Sequence, residues 1–402
     1  MADDNDDVVE ESSPKGKDKA KKNKREPVRL KMVDTHDKAA LNQILGAVQV
    51  AFKDAPGVAS VNPGESDAEI YSTGILSLDR ALGVNGLLGG RIVNCFGEAG
   101  TGKTLTAMMV GGAIQRAGGL VAFLDAEGTF SPKFATACGL DVTQLIYVRS
   151  TPERVMAGED FFEVLRVLVA QGVHFIIVDS GAALVPSQKL SLSFGEGQQA
   201  TQARLFSEEL QKVTSYLSAS QRTIVWFTNQ MRSNPMAMFG PKDGSTGGKA
   251  LEFYASYNFM MTKVEDMKAK VIMPHGKAEE KIVGVSVKLF IKKNKTAAKP
   301  VEPIQFDVYT EFATLEDGSV IEPGVNTLKD YFQTGKALGM IEQKFSWFSF
   351  MDVRGNGEKD FCTALRKDPA TMDALRAKCL GIGAPQTTTE LAKPTEEVAK
   401  PE

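Results

Sequence analysis

The stretch RIVNCFGEAGTGKTLTAMMVGGAIQR, residues 91–116, decides how the rest of the chain is read. It opens on an apolar run from Ile92 to Phe96, passes through eight glycine-rich residues, and continues from Leu105 to Arg116 as a segment able to form a helix. The middle, Gly97-Glu98-Ala99-Gly100-Thr101-Gly102-Lys103-Thr104, matches G-x-x-x-x-G-K-[ST] in full. Glycines let the backbone wrap closely around phosphates, and the loop N–H groups together with the start of the helix supply donors. In such a loop Lys103 meets the β- and γ-phosphates and the Thr104 hydroxyl binds Mg²⁺. Residues 97–105, ending at Leu105, are therefore the expected nucleotide-contacting segment, with ATP and Mg²⁺ as cofactors.

Working outward, LVAFLDAEG (120–128), HFIIVDSG (174–181) and TIVWFTNQ (223–230) each read as a strand buried on both faces and ending at a turn. Strands of this kind alternate with helical stretches from Ile70 to about Val308, which predicts a mostly parallel sheet wrapped by helices. Chemistry in such sheets gathers outside the carboxyl ends of the strands. Asp179 closes Phe175-Ile176-Ile177-Val178 and is the expected partner of Thr104 around Mg²⁺. Glu127, at the end of a second strand, is the candidate for orienting and deprotonating the water that attacks the γ-phosphate.

The 402 residues suggest two domains with a small third piece. A formal net charge of −3 leaves any polyanion contact to a local patch. Cys95, Cys138, Cys362 and Cys379 are scattered, which argues against a zinc site or a disulfide framework and fits a reducing cytosol. No apolar run approaches the roughly 20 residues of a membrane helix, and the acidic N-terminus lacks a signal-peptide core. The expected divisions are a charged disordered tail (1–34), a helix and strand segment (35–69), an ATPase core (70–310), a small α/β module (311–385) and a second disordered tail (386–402). The basic part of the first tail fits either a solvated segment or a DNA contact.

A phosphate loop alone says only that a nucleotide is hydrolysed. STGILSLDRALGVNGLLGGRIV (72–93), FTNQMR (227–232), MFG (238–240), STGGKALEFYAS (245–256) and KKNKTAA (292–298), in that order, resemble the RecA recombinases. The likeness is to the bacterial and phage branch and runs from about Asp37 to Leu380. It implies a RecA-like core that assembles head to tail into a helical filament, the segment near Leu41 to Phe52 packing on the next subunit. ATP would lie at that interface, where Lys293 and Lys295 match lysines reaching the neighbour's nucleotide as cations supplied in trans. Gln230 matches the glutamine that senses the γ-phosphate, and Phe253 an interface residue that couples ATP to DNA binding. Phe134 matches an adenine-stacking aromatic, although a core phenylalanine fits it equally well.

The same resemblance implies two DNA-gripping loops, about Pro186–Gln199 and Met231–Lys249. Arg204, Arg232 and Lys249 would neutralise phosphates, and Gly247 and Gly248 would offer backbone donors. Met231, Met238 and Phe239 are suited to insertion between bases without reading sequence. The implied partners are single-stranded DNA, homologous duplex DNA, further copies of the chain, and single-strand-binding and mediator proteins, in the cytoplasm. The chain departs from the bacterial pattern in the Glu-Ala-Gly-Thr of its phosphate loop, in Leu105, in its first DNA loop and in its charged N-terminal segment. These departures fit a divergent or phage-encoded member. A hexameric helicase sharing the same core, and a non-catalytic accessory paralogue, remain as rival readings.

Overall fold

Each of the four apolar runs forms a strand, and alternation of side chains along them builds two cores on opposite faces of one sheet. In this computed structural model residues 68–382 are described, apart from 191–197, 234–242, 246–247, 297–301 and 317. The described residues fall within one compact unit, Asp67–Glu402. The expected N-terminal tail, the segment around Leu41 to Phe52 and the C-terminal tail lie outside them.

The central sheet contains β1 (Arg91–Gly97), β2 (Val121–Asp125), β3 (Leu145–Arg149), β4 (Phe175–Asp179), β5 (Ile224–Ser233), β6 (Tyr257–Ile272), β7 (Ala278–Asn294), β8 (Ile304–Tyr309) and β9 (Gly324–Val325). Their spatial order is β9-β8-β7-β6-β1-β5-β4-β2-β3. Strands β6, β1, β5, β4, β2 and β3 run parallel, with β1 central between β5 and β6. One face packs Val93, Cys95, Phe123, Ile177 and Trp226 under helix α2 (Lys103–Arg116). The other packs Ile92, Leu124, Val178, Val225 and Phe227 against two helices that follow α1 (Leu76–Ala81), α2 and α3 (Pro132–Ala137) in the chain, α4 (Gly158–Ala170) and α5 (Gln198–Ser220). This is the α/β architecture that the sequence predicts.

The alternation of strand and helix stops earlier than the sequence predicts. After a short helix, α6 (Gly248–Tyr254), β6 and β7 form one long antiparallel hairpin, and β8 and β9 extend the sheet in the same antiparallel sense. The hairpin enters the main core at its base through Phe259, Met261, Val287 and Leu289, and further out Val271 and Val283 pack in a small separate cluster with Ala313 and Ile321. Its outer half, rich in lysine and glutamate, lies largely in solvent, so no continuous apolar run marks it as a strand.

The C-terminal module follows as α7 (Thr327–Ala337), a three-stranded meander of β10 (Glu342–Lys344), β11 (Trp347–Phe350) and β12 (Val353–Asn356), then α8 (Glu358–Arg366) and α9 (Pro369–Leu380). Phe332, Phe348, Phe361, Leu365 and Leu375 form its core, joined by Leu76 of α1. Asp368 starts α9 as its N-cap, accepting from the Thr371 N–H at 3.1 Å, with Pro369 in the first turn.

Candidate active site

The phosphate loop is a strand-to-helix crossing held by its own glycines and lysine. Gly100 and Gly102 adopt φ of 73° and 78°, a left-handed region that glycine enters without steric penalty. At Gly97 the constraint is contact: a Cβ there would stand 2.1 Å from the Met261 carbonyl oxygen of β6. The Thr101 hydroxyl donates to the Glu98 carbonyl at 2.9 Å. Lys103 turns back over the loop, its Nζ donating to the Gly97 and Glu98 carbonyls at 3.0 and 2.6 Å. Burial lowers the Lys103 pKa, against the opposing pull of Cys95, Asp179, Glu127 and Glu98. Glu98, Ala99 and Gly100 face solvent, whereas Leu105, in the first turn of α2, is buried.

Asp179 ends β4 in a nearly closed environment. It accepts from the Thr228 hydroxyl at 2.5 Å and from the Thr104 side chain. Burial raises its pKa, those two hydrogen bonds oppose the shift, and the charges of Glu127 and Asp125 add to it. A carboxylate beside a threonine hydroxyl, crowded by other carboxylates, has the donor chemistry of a hard cation site. Among the described residues no group of three or more His, Cys, Asp or Glu side chains could hold a metal.

Glu127 lies one strand away, exposed, accepting a hydrogen bond from the Ser180 hydroxyl next to Asp179. The turn that carries it is built by Asp125, a residue whose role sequence reasoning missed. The Asp125 carboxylate accepts from the N–H groups of Gly128, Thr129 and Phe130 at 2.7, 3.2 and 3.1 Å, and from the Tyr147 hydroxyl at 2.8 Å. The Asp-x-Glu spacing at a strand end was its only sequence signal. Phe134, on α3, is half-buried and packs against the core formed around α2.

Gln230 is paired in parallel register with Gly97, so the candidate phosphate sensor stands beside the first residue of the loop, exposed. Strand β5 does not end there as the sequence suggests. It runs on to Ser233, with Met231 opposite Ser245, Arg232 opposite Gly244 and Ser233 opposite Asp243. Met231 and Arg232 are therefore strand residues at the root of the second expected loop. Met238, Phe239 and Gly247 lie outside the described residues. Gly248 begins α6, and Lys249 and Phe253 are exposed on it, the Phe253 ring meeting Tyr254 edge-on at 5.3 Å.

Lys293 and Lys295 close β7 and the residues after it. Lys293 Nζ donates to the Glu252 and Phe253 carbonyls at 2.7 and 2.9 Å, satisfying the C-terminal end of α6. Burial and the charge of Lys295 lower the Lys293 pKa. Lys295 is exposed, and its backbone N–H bonds the Ser256 carbonyl at 3.0 Å. Arg204, exposed on α5, pairs with Glu208 at 2.7 Å. Gln202, which carries no signal in the sequence, fastens the start of α5 to the turn after β4. Its amide lies within 3.4, 3.1 and 3.1 Å of the Gly181, Ala182 and Leu184 carbonyls.

The phosphate loop, the strand-end acids and the sheet around them coincide with one family. Residues 39–313 match the model of the RecA N-terminal domain. The chain belongs to the RecA family. Protein RecA of Rhodospirillum centenum is 34% identical over 380 residues, covering 91% of this chain and 98% of that protein. Protein RecA of Azospirillum lipoferum is 32% identical over 382 residues, with the same coverage of 91% and 98%. Protein RecA of Chloroherpeton thalassium is 35% identical over 311 residues, 77% of this chain and 80% of its relative. As a RecA-family chain it carries the ATP-binding loop on a RecA-like core and a role in DNA recombination and repair. No helix among the described residues is long and apolar enough to cross a membrane.

Proposed function

We propose that this chain is a DNA-stimulated ATPase that polymerises on single-stranded DNA and exchanges strands with a homologous duplex. The observation that carries the reading is the register of β1 and β5. Gly97 opens the phosphate loop, its partner Gln230 stands beside it, and the strand bearing Gln230 continues directly into residues 234–242. A change in contact at the terminal phosphate is thereby passed along one rigid strand to the second expected DNA loop.

In this reading the loop N–H groups and Lys103 hold the triphosphate, and Thr104 and Asp179 hold Mg²⁺. The cation would neutralise charge on the β- and γ-phosphates. Glu127 takes a proton from the attacking water, and its hydrogen bond from Ser180 fixes its orientation. Lys293 and Lys295 act on the nucleotide of the adjacent subunit, and Phe253, exposed beside them, packs at that junction. Arg204, Arg232, Lys249 and Gly248 engage the DNA backbone, and Met231, Met238 and Phe239 the bases. The segment 35–69 joins subunits, the core spans 70–310, and the module at 311–385 engages duplex DNA. Such a protein works in the cytoplasm on nucleoid DNA, alongside single-strand-binding and mediator proteins.

The deciding experiment measures ATP hydrolysis with and without single-stranded DNA, for the wild type and Lys103→Ala. Strong stimulation by DNA that the substitution abolishes is expected. Hydrolysis indifferent to DNA would point to another phosphate-loop machine, and none at all to an accessory paralogue. Electron microscopy with DNA and a slowly hydrolysed ATP analogue separates the expected filaments from helicase rings.

A further inference from the structure

Three asparagines are buried side by side in the central sheet, one on each of three adjacent strands. Asn94 lies on β1, Asn229 on β5 and Asn258 on β6; the first two are fully buried and the third nearly so. Asparagine is depleted in strands, and a buried amide is tolerated only when its polar atoms find partners. Here the partners are one another. Asn229 Nδ2 donates to Asn94 Oδ1 at 3.0 Å, Asn94 Nδ2 to Asn258 Oδ1 at 3.2 Å, and Asn258 Nδ2 to the Glu252 carbonyl at 3.3 Å. That carbonyl also receives Lys293 Nζ.

The chain of donors has one direction and two informative ends. Asn229 immediately precedes Gln230, and its Oδ1 has no hydrogen-bond partner among the described residues. That oxygen would lie 2.7 Å from a Cβ placed on Gly181, so the amide is wedged against the turn that follows Asp179. At the far end, Glu252 and Phe253 close α6, the helix that begins just beyond the second expected DNA loop. Reversing the Asn94 amide would set its NH₂ against that of Asn229 and its oxygen against that of Asn258. The orientation of the middle member is thus locked by both neighbours, and in a low-dielectric sheet interior such a chain is stiff.

We propose that Asn94, Asn229 and Asn258 form a positioning relay that couples the strand end bearing Gln230 to the C-terminus of α6, and so sets Lys293 and Phe253. The inference rests on the reading of the chain as a DNA-stimulated ATPase. A displacement of Asn229 pulls on Asn94 and Asn258 and reaches the carbonyl that Lys293 caps, without passing through the loop at 234–242. None of the three touches nucleotide in this reading; each acts through another residue.

The test uses the full chain as wild type, Asn94→Leu, Asn258→Leu, and a triple variant with leucine at all three positions. Replacing every member of a buried polar set by apolar groups of similar size leaves little unpaired, so the triple variant keeps the fold if a single variant does not. Basal ATP hydrolysis is expected within about twofold of wild type, while stimulation by single-stranded DNA falls about fivefold or more, the span of a typical coupling free energy. The melting temperature of the triple variant should stay near that of wild type while its stimulation remains low. Full stimulation in the triple variant, or loss that only tracks basal rate and melting temperature, would overturn the relay and leave the ATPase reading intact. A wild type that DNA fails to stimulate overturns both.

Discussion

At the scale of single residues, the three strand-end carboxylates divide their work by environment. Asp179 is buried between two threonine hydroxyls, Glu127 is exposed beside Ser180, and Asp125 spends its oxygens on the turn between them. Removing Asp125 strips three backbone N–H groups and a phenol of their acceptor. Asp125→Ala is therefore expected to lower stability by roughly 2–3 kcal/mol, since bonds to charged acceptors are the expensive ones to lose. Because the turn carries Glu127, ATP turnover should fall on the order of a hundredfold, with nucleotide binding retained. Tyr147→Phe removes only the phenol and should cost about 1 kcal/mol while turnover stays near wild type. Paired melting curves and hydrolysis rates check both, and equal turnover in Asp125→Ala and wild type would refute the role given to the turn. Gly97→Ala makes a sharper demand: with the Met261 carbonyl in the way, β1 and β6 must part, and nucleotide binding and stability should fall together.

At the scale of elements, legibility followed burial. Strands β1, β2, β4 and β5 were legible because both faces are covered, which forces near-continuous apolar runs. The places of the loop, Asp179 and Glu127 in the fold were legible because each stands where one of those runs ends. The β6–β7 hairpin was not, since its charged outer half carries no packing pattern, and the Asn94 network was hidden because asparagine in a sequence reads as a turn. Gln202 shows the same limit: its meaning comes from three carbonyls about 20 residues upstream. It joins the two ends of chain that flank residues 191–197, the heart of the first expected DNA loop. Gln202→Ala should cost about 1 kcal/mol and speed amide exchange over residues 181–184 and the first turns of α5. Unchanged exchange there would show that apolar packing alone fixes this junction.

At the scale of the whole described unit, the C-terminal module is fastened to the core through buried charge as well as through Leu76. Asp79, fully buried on α1, accepts from the Thr73 N–H at 2.7 Å and from Arg376 of α9 at 3.3 Å. Asp330 of α7, nearly as buried, accepts from the Ser77 N–H at 3.2 Å. Burial raises both carboxyls, Asp330 to about 6, its backbone hydrogen bonds opposing the shift and the Asp79 charge adding to it. A carboxyl whose folded pKa lies above its unfolded value of 3.8 binds its proton more tightly in the native state. Its contribution to stability is full below that unfolded value and is lost as the pH rises through about 6. The loss amounts to about 3 kcal/mol at neutral pH and above. Asp330→Asn keeps an acceptor for the Ser77 N–H and carries no charge at any pH. It should leave stability nearly unchanged at pH 3 and raise it at pH 8, with about half of that gain already present at pH 5, shifting the melting of the module upward. Denaturation of both proteins at pH 3 and pH 8 measures this difference directly, and a variant equally shifted at both would mean that burial does not raise the Asp330 carboxyl.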